Sequence, residues 1–329
     1  MTSDPGIDLP LKAAGPAAVP AVSTTDPTVA MTDPEAAAPR ISAARAILVE
    51  TRPRQWTKNL VIFAPLLFSL NLSRTGDVVE VVLAFFLFCL ISGGVYIVND
   101  LHDRERDRLH HRRRLRPLAA GQLDPTVAIA SATVLLGIGL AGAALVDPAL
   151  GLVALGYILL QGAYTFVLKK IVLLDVMSIA TGFVLRVAAG AVVIGVAVSP
   201  WLLTCAALLA LFLALVKRRH ELLADPHALE HRPVLRQYTP EFLDQVISIV
   251  TAATLAVYAI YTFLSQSAES SPYLMLTIPF VAYGLLRYLF LMHSRHAGGS
   301  PEEVLLGDAA LAIDLGLWAT VVVIVLYAT

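Results

Sequence analysis

Charge is what this chain has least of. Of 329 residues only 15% are Asp, Glu, Lys or Arg, while 57% are hydrophobic, and mean hydropathy is +0.73. A water-soluble domain carries about 25% charged residues, so an ordinary soluble fold is excluded. Cysteine is almost as scarce: Cys89 and Cys205 both fall inside apolar runs, where they serve as small packing residues. That excludes a disulfide framework and a thiolate metal centre. The net charge of −1 comes with no long basic tail, which argues against a nucleic-acid partner. No basic stretch leads into an apolar core at the start, so a cleaved signal peptide is not expected. Periodicity is missing from residues 1–40, rich in Pro, Ala, Thr and Asp. We read 1–44 as a disordered tail and 45–329 as one membrane domain. Residues 41–51 suit a short amphipathic helix lying on the membrane.

What remains is long apolar runs. A spanning helix needs about 20 mostly apolar residues, and nine segments qualify: 59–73, 78–98, 126–146, 149–168, 172–197, 199–216, 246–265, 272–293 and 308–327. The first is short and interrupted by Pro65, and the break at Ser199-Pro200 is the weakest boundary. Strands are disfavoured because lipid-facing backbone must pair within its own segment. The expected fold is therefore all-α, a polytopic bundle of nine transmembrane helices. Charge bias tests the topology: with the N-terminus inside, the outer connections at 74–77, 147–148, 198–199 and 266–271 carry only Arg74. The remaining loop bases fall inside, as the positive-inside rule requires. A cytoplasmic N-terminus, a multi-pass inner (plasma) membrane location and a polar face toward the cytoplasm follow as expectations.

The densest chemistry is Asn99-Asp100-Leu101-His102-Asp103-Arg104-Glu105-Arg106-Asp107, at the end of the second apolar run. On a helix, Asp100, Asp103 and Asp107 fall at i, i+3 and i+7, with Asn99 four before Asp103, so an amide and three carboxylates share one stripe. Hard oxygen ligands near a membrane surface suit Mg²⁺ shared with substrate phosphates. Asn99, Asp100, Asp103 and Asp107 are the candidate ligands. The competing explanation is an acidic juxtamembrane helix balanced by Arg104, Arg106 and Arg108. A basic run follows, ending at Arg116-Pro117, whose guanidinium fork suits pyrophosphate oxygens. His110 and His111 are adjacent and cannot face one site together, which makes zinc improbable.

Other polar clusters fall on the same expected face. Arg52-Pro53-Arg54-Gln55-Trp56-Thr57-Lys58-Asn59 leads into the first span, either as an interfacial anchor or, through Arg52 and Lys58, as an anion contact. Tyr164 through Lys169 and Lys170 closes the fourth span; the lysines fit snorkelling anchors equally well. Asp175 and Arg186, eleven residues apart, share one face of the fifth span. Arg186 sits mid-span, where a charge costs at least about 2.5 kcal/mol, so it should face the interior. Gly182 and Gly190 flank it and would admit a neighbouring helix. Lys217-Arg218-Arg219-His220-Glu221 ends the sixth span and opens a polar stretch to about Asp244, long enough for a lid. Arg287-Tyr288, Gly298 through Glu303 and Asp308 form a last cluster better explained as structural.

In this order the residues resemble the UbiA superfamily of intramembrane prenyltransferases. The similarity rests on NDxxDxxxD at Asn99, Asp100, Asp103 and Asp107, on Arg116-Pro117 and Gly121, and on Tyr164 to Lys169. It covers about 45–327. One departure is informative: where typical members carry a second Asp-rich motif after span six, this chain has Lys217-Arg218-Arg219-His220-Glu221, with only Glu221 and Asp225 acidic. That change looks like the branch that transfers phosphoribosyl groups to decaprenyl phosphate. The motifs Arg52-Pro53-x-Gln55-Trp56-x-Lys58-Asn59, Leu174-Asp175-Val176, Phe183 to Arg186 with Ala189-Gly190, and Gly299-x-Pro301-Glu302-Glu303 are similar to that branch too.

The resemblance implies a Mg²⁺-dependent glycosyltransferase with a cytoplasmic active-site face. It would move the 5-phosphoribosyl group of phosphoribosyl pyrophosphate onto a polyprenyl phosphate, for cell-wall arabinan precursors. Asp103, Asp107, Lys58 and Lys169 would be catalytic. Arg52, Lys58, Arg116, Tyr164, Lys169, Asp175, Arg186, Lys217, Arg218, Arg219 and Glu221 would contact the substrates. The small residues Ala188 to Ala191 would leave a lipid-open groove for the prenyl chain. A homo-oligomer is compatible with the sequence, which does not distinguish monomer from trimer. Two other functions compete: prenyl transfer from a diphosphate to an aromatic or other acceptor, and transport. The polar residues crowding one face and the lack of internal duplication count against transport.

Overall fold

The computed structural model describes residues 41–110, 113–197, 199–224, 232–265, 271–294, 304 and 307–327. The expectations for the tail up to residue 40, for Asp225 and for Gly298 to Glu303 lie outside the described residues. Among those described there is no strand. Helix α1 (Ala43–Glu50) starts from Ser42, whose hydroxyl accepts from Arg45 N, and so begins inside the segment assigned to the tail. It exposes Leu48 and Val49 and buries Ala46 and Glu50, as an interfacial helix would.

The chain then turns at Arg52, in left-handed backbone at φ 51°, into a 3-10 helix over Pro53–Phe63, followed by α2 (Ala64–Phe68). This differs from the expected first span, 59–73. Pro53 and Pro65 each remove an amide donor, and the segment winds tightly instead of forming a long α-helix. Eight helical segments, not nine, are long and apolar enough to cross a membrane among the described residues. At 2.0 Å per residue in the 3-10 part and 1.5 Å in the α part, Pro53–Phe68 still reaches about 30 Å, the thickness of the hydrocarbon layer.

Helix α3 (Thr75–Leu109) has 35 residues and is about 52 Å long, well beyond the bilayer core. Its last turns therefore carry the acidic stripe out of the apolar zone. α4 (Pro125–Val146) and α5 (Pro148–Phe166) are joined by Asp147 alone, which ends one helix and caps the next by accepting from Ala149 N and Leu150 N. α6 (Leu174–Val193), α7 (Pro200–Ala224), α8 (Pro240–Leu264), α9 (Ile278–Ser294, entered through a 3-10 turn over Pro272–Thr277) and α10 (Ala309–Tyr327) complete the bundle. The stretch expected as a lid is shorter than the sequence suggests, because α7 runs on to Ala224 and a 3-10 turn occupies Pro233–Gln237.

Small residues set the closest approaches. A side chain at Gly139 would strike Ile91, which lets α4 lie against α3. A Cβ at Gly190 would collide with the Ile62 carbonyl, so the 3-10 segment packs directly on α6. Where a groove was expected at Ala188 to Ala191, Ala189 and Ala191 are buried, and Ala191 also borders a cavity shared with α2 and α7.

Candidate active site

The acidic stripe splits into two halves with different neighbours. Asn99 and Asp103, one turn apart on α3, face Lys169 in the 3-10 turn Leu168–Lys170 that links α5 to α6. The Lys169 ammonium donates to both Asp103 oxygens at 2.8 and 2.7 Å and reaches Asn99 Oδ1 at 3.4 Å. Thr165 Oγ1 donates to the same Asn99 oxygen at 3.5 Å. Three oxygens thus converge on one cation, with Asp103 still 18% and Lys169 11% exposed. Lys170, by contrast, is exposed and behaves as a surface anchor.

Asp100 and Asp107 turn to the other side and are buried. Arg52 donates to both oxygens of Asp100, and Arg116 bridges Asp100 (3.1 Å) and Asp107 (2.5 Å). Arg113 adds a longer contact to Asp107 at 3.8 Å. Seven residues separate the two acids, and one guanidinium spans that two-turn gap. The strained backbone of Arg52 is held by this pair and by its guanidinium lying 5.1 Å over the Tyr96 ring.

Glu50, at the end of α1, accepts from Leu118 N at 2.7 Å. Burial first, then a hydrogen bond with Asp100, raises its carboxyl to about 7. Glu50 carries no sequence motif, and its role became visible only once α1 docked on α3.

A second charged stripe lines α6, α7 and the segment after it. Arg218, 1% exposed, donates to Asp175 Oδ2 at 2.7 Å and to Glu221 Oε2 at 2.8 Å. Arg232 donates to Glu221 at 3.1 Å and to the Tyr164 hydroxyl at 2.8 Å. Tyr238 donates to Asp175 Oδ1 at 2.7 Å while accepting from Leu173 N at 2.8 Å. Burial and that carboxylate push the Tyr238 hydroxyl above the ordinary phenol range. The Tyr238 contact also holds Leu173 in its left-handed conformation at φ 67° just before α6.

Arg113 relates the two stripes. Its guanidinium is lowered by burial and then by Arg116, against the opposing pull of Asp107 and Glu221. Lys217 lies within electrostatic range of Glu221 and Lys58 and makes no hydrogen bond or ion pair among the described residues. The candidate residues Asn99, Asp100, Asp103, Asp107, Arg52, Arg116, Lys169, Tyr164, Asp175, Arg218, Glu221, Lys58 and Lys217 thus lie in or around these two stripes at one end of the bundle.

Two candidates lie elsewhere. Arg219 pairs with Asp244 of α8, beyond which His293 sits at 3.7 Å, and so belongs to a separate cluster. Arg186 is buried mid-bundle and does not meet Asp175. It donates to Asn59 Oδ1 (2.7 Å), the Gly182 carbonyl (3.0 Å) and the Tyr157 hydroxyl (2.6 Å), with its charge 4.6 Å over the Tyr157 ring. Neutral acceptors and an aromatic face meet its charge, and the pairing locks the 3-10 segment to α6. Asn59 continues the chain to Ser92 of α3 at 3.2 Å.

Sequence reasoning singled out neither Arg232 nor Arg113 as a site residue. An arginine placed directly before a proline at the foot of a helix (Arg232-Pro233) was the available signal for the first. Among the described residues no three His, Cys, Asp or Glu side chains form a ready metal cluster. The Asn99–Asp103 pair offers oxygen donors of the type a hard divalent ion takes, and there the lysine ammonium stands in as the cation.

Known proteins resemble this chain in sequence and fold. The UbiA prenyltransferase family matches residues 60–302. A decaprenyl-phosphate phosphoribosyltransferase from Corynebacterium glutamicum is 35% identical, over 92% of this chain and 94% of its own length. One of the same name from Mycobacterium tuberculosis is 33% identical, over 86% and 95%. Among solved structures, a UbiA homologue from Archaeoglobus fulgidus bound to DMAPP and Mg²⁺ superposes with a TM-score of 0.68 at 21% identity, covering 85% of this chain and 100% of that one.

Proposed function

The chain belongs to the UbiA prenyltransferase family, and from that premise we propose that it is a decaprenyl-phosphate phosphoribosyltransferase. It is a multi-pass membrane enzyme whose acceptor is a polyprenyl phosphate. The donor in this proposal is phosphoribosyl pyrophosphate, and the product is a lipid-linked phosphoribose that feeds cell-wall arabinan synthesis. The bundle lies in the inner membrane with its N-terminus and charged mouth in the cytoplasm, and Pro53–Phe68 makes a ninth crossing.

One observation carries this proposal. The second stripe holds two acids, Asp175 and Glu221, and both are neutralised internally by Arg218 and Arg232. Among the described residues that stripe therefore offers no second carboxylate site to a metal, and Lys217 at its edge adds a positive charge beyond the two pairs. A donor with a diphosphate and a 5-phosphate, met by a lipid phosphate, needs that surplus of positive charge more than a prenyl diphosphate with a neutral acceptor would.

Asn99 and Asp103 fit a divalent cation, Mg²⁺ by the hardness of its oxygen donors, and they already hold a cation between them. When bound, Mg²⁺ supplies charge neutralisation on the departing pyrophosphate. Lys169, partly exposed at the same mouth, would pair with a phosphate oxygen of the donor. Arg116 and Arg113 orient the pyrophosphate, and Asp100 and Asp107 fix both guanidiniums in place. Lys58 and Lys217 hold the lipid phosphate; its oxygen is already anionic and needs placement more than deprotonation. Attack from the face opposite the leaving group inverts the anomeric carbon and gives a β-linked product.

The test is to offer purified protein both substrate pairs with Mg²⁺. Pyrophosphate released from phosphoribosyl pyrophosphate only when polyprenyl phosphate is present is the expected result. Release only from a prenyl diphosphate with a neutral acceptor would make the chain a prenyltransferase instead.

A further inference from the structure

The opposite end of the bundle holds a second polar feature that the transfer reaction does not use. A cavity of about 350 Å³ lies where α2 and the following turn meet α6, α7 and α8. Its lining includes the polar Arg74, Asn71 and Ser69 and the apolar Phe68, Val187 and Leu202. Along α3, Thr75 is 25 residues from Asp100, or about 37 Å at 1.5 Å per residue, so the cavity is remote from the acidic stripe.

Its polar groups are left over. Asn71 is only 7% exposed, and its side-chain amide makes no hydrogen bond among the described residues although it borders the cavity. Ser69 Oγ is buried without a partner. Arg74 has no acid beside it to neutralise it among the described residues, and it is the one base the sequence assigns to the outer connections. A buried polar group with no partner costs about 1–3 kcal/mol, and Ser69 Oγ is in that state at the cavity wall. Ser199, on the same wall, starts α7 and accepts from Leu202 N at 3.4 Å, so the positive end of a 25-residue helix points the same way. Leu70, also on the wall, is held in left-handed backbone at φ 63°.

A guanidinium, an amide donor, a hydroxyl and a helix start together suit a phosphate. The apolar part of the lining suits the hydrocarbon attached to it. We propose that this cavity is a second binding site, specific for a phosphate monoester on a lipid, at the end of the bundle opposite the transfer site. It takes an amphiphile by its headgroup and the first segment of its chain. The inference stands on this cavity alone and does not depend on which group the enzyme transfers.

The experiment is native mass spectrometry of the full-length protein in detergent, titrated separately with short-chain phosphatidic acid, with phosphatidylcholine of the same chains, and with inorganic phosphate. Wild type should retain a phosphatidic acid adduct that Arg74→Gln and Asn71→Leu each weaken about tenfold, with phosphatidylcholine at least as much weaker. The exposed Arg74 side chain makes no hydrogen bond or ion pair among the described residues, so Arg74→Gln should keep the wild-type melting temperature, and its result stands even if Asn71→Leu fails to fold. Lys217→Ala, at the far end, should leave the Arg74-dependent adduct intact. Inorganic phosphate that fails to displace the adduct assigns the site to a lipid headgroup. Full displacement by inorganic phosphate at the same concentration, or identical binding by wild type and Arg74→Gln, overturns the proposal.

Discussion

The two charged stripes at the mouth are built from the same residue types and differ in what each has left over. On α3, Asp103 and Lys169 stay partly exposed, and in the proposed reaction their partners exchange for substrate and metal. On α6 and α7, Asp175 is 0% and Arg218 1% exposed, and every charge there is committed to another. The first stripe is poised to bind. The second is a brace that fixes the feet of α6 and α7 and leaves Lys217 as spare charge at its edge. Identical charges thus do opposite work according to burial and pairing.

Breaking the first stripe should stop chemistry without unfolding the protein. Asp103→Asn is expected to lower turnover more than about 100-fold while the melting temperature holds. Equal loss of stability and activity would erase the distinction. Breaking the second stripe should do the reverse. Arg218→Met strands Asp175 and half-frees Glu221, at an expected cost of about 3–5 kcal/mol in stability, read as a lower melting temperature in detergent. Asp175→Asn keeps the hydrogen-bonding shape and should cost less. A stable Arg218→Met enzyme with impaired substrate binding would move Arg218 into the reactive set.

The edge of the brace gives a milder test. Lys217→Ala should raise the lipid-phosphate KM roughly tenfold with little change in the KM for the soluble donor. Lys58→Ala should behave likewise, and the opposite split would reassign both lysines. The smallest effect concerns Glu50, which sits behind the first stripe. Its folded value of about 7 lies above its ordinary 4.5, so the folded state holds more protons between those limits. Its contribution to stability is therefore present below pH 4.5 and declines as pH rises toward 7. Glu50→Gln, which stays neutral, should flatten the pH dependence of the melting temperature across that window.

Much of the fold was legible because lipid leaves a chain few options. Long apolar runs marked the helices: the starts expected at 126 and 149 lie one residue from Pro125 and Pro148, while α8 begins six residues before the expected 246, at Pro240. The first segment starts earlier and winds more tightly than the expected 59–73, because hydropathy does not register the 3-10 winding between Pro53 and Pro65. In the site, helical spacing brought Asn99, Asp100, Asp103 and Asp107 onto one stripe. It did not reveal that Asp100 and Asp107 turn toward arginines while Asn99 and Asp103 turn toward Lys169, since that division depends on where the neighbouring turns lie. The same limit explains Arg186: a shared face with Asp175 was readable, but the partners Asn59 and Tyr157 come from other helices and leave no trace in local spacing.

The central claim is that a cation-rich mouth transfers a phosphorylated sugar to a lipid phosphate. The most direct measurement is the mass of the lipid made by the purified full-length enzyme from phosphoribosyl pyrophosphate, decaprenyl phosphate and Mg²⁺. A product heavier than decaprenyl phosphate by one phosphoribosyl group, absent with Asp103→Asn, is the predicted result. An unchanged lipid, alongside a prenylated acceptor formed from a prenyl diphosphate, would contradict it.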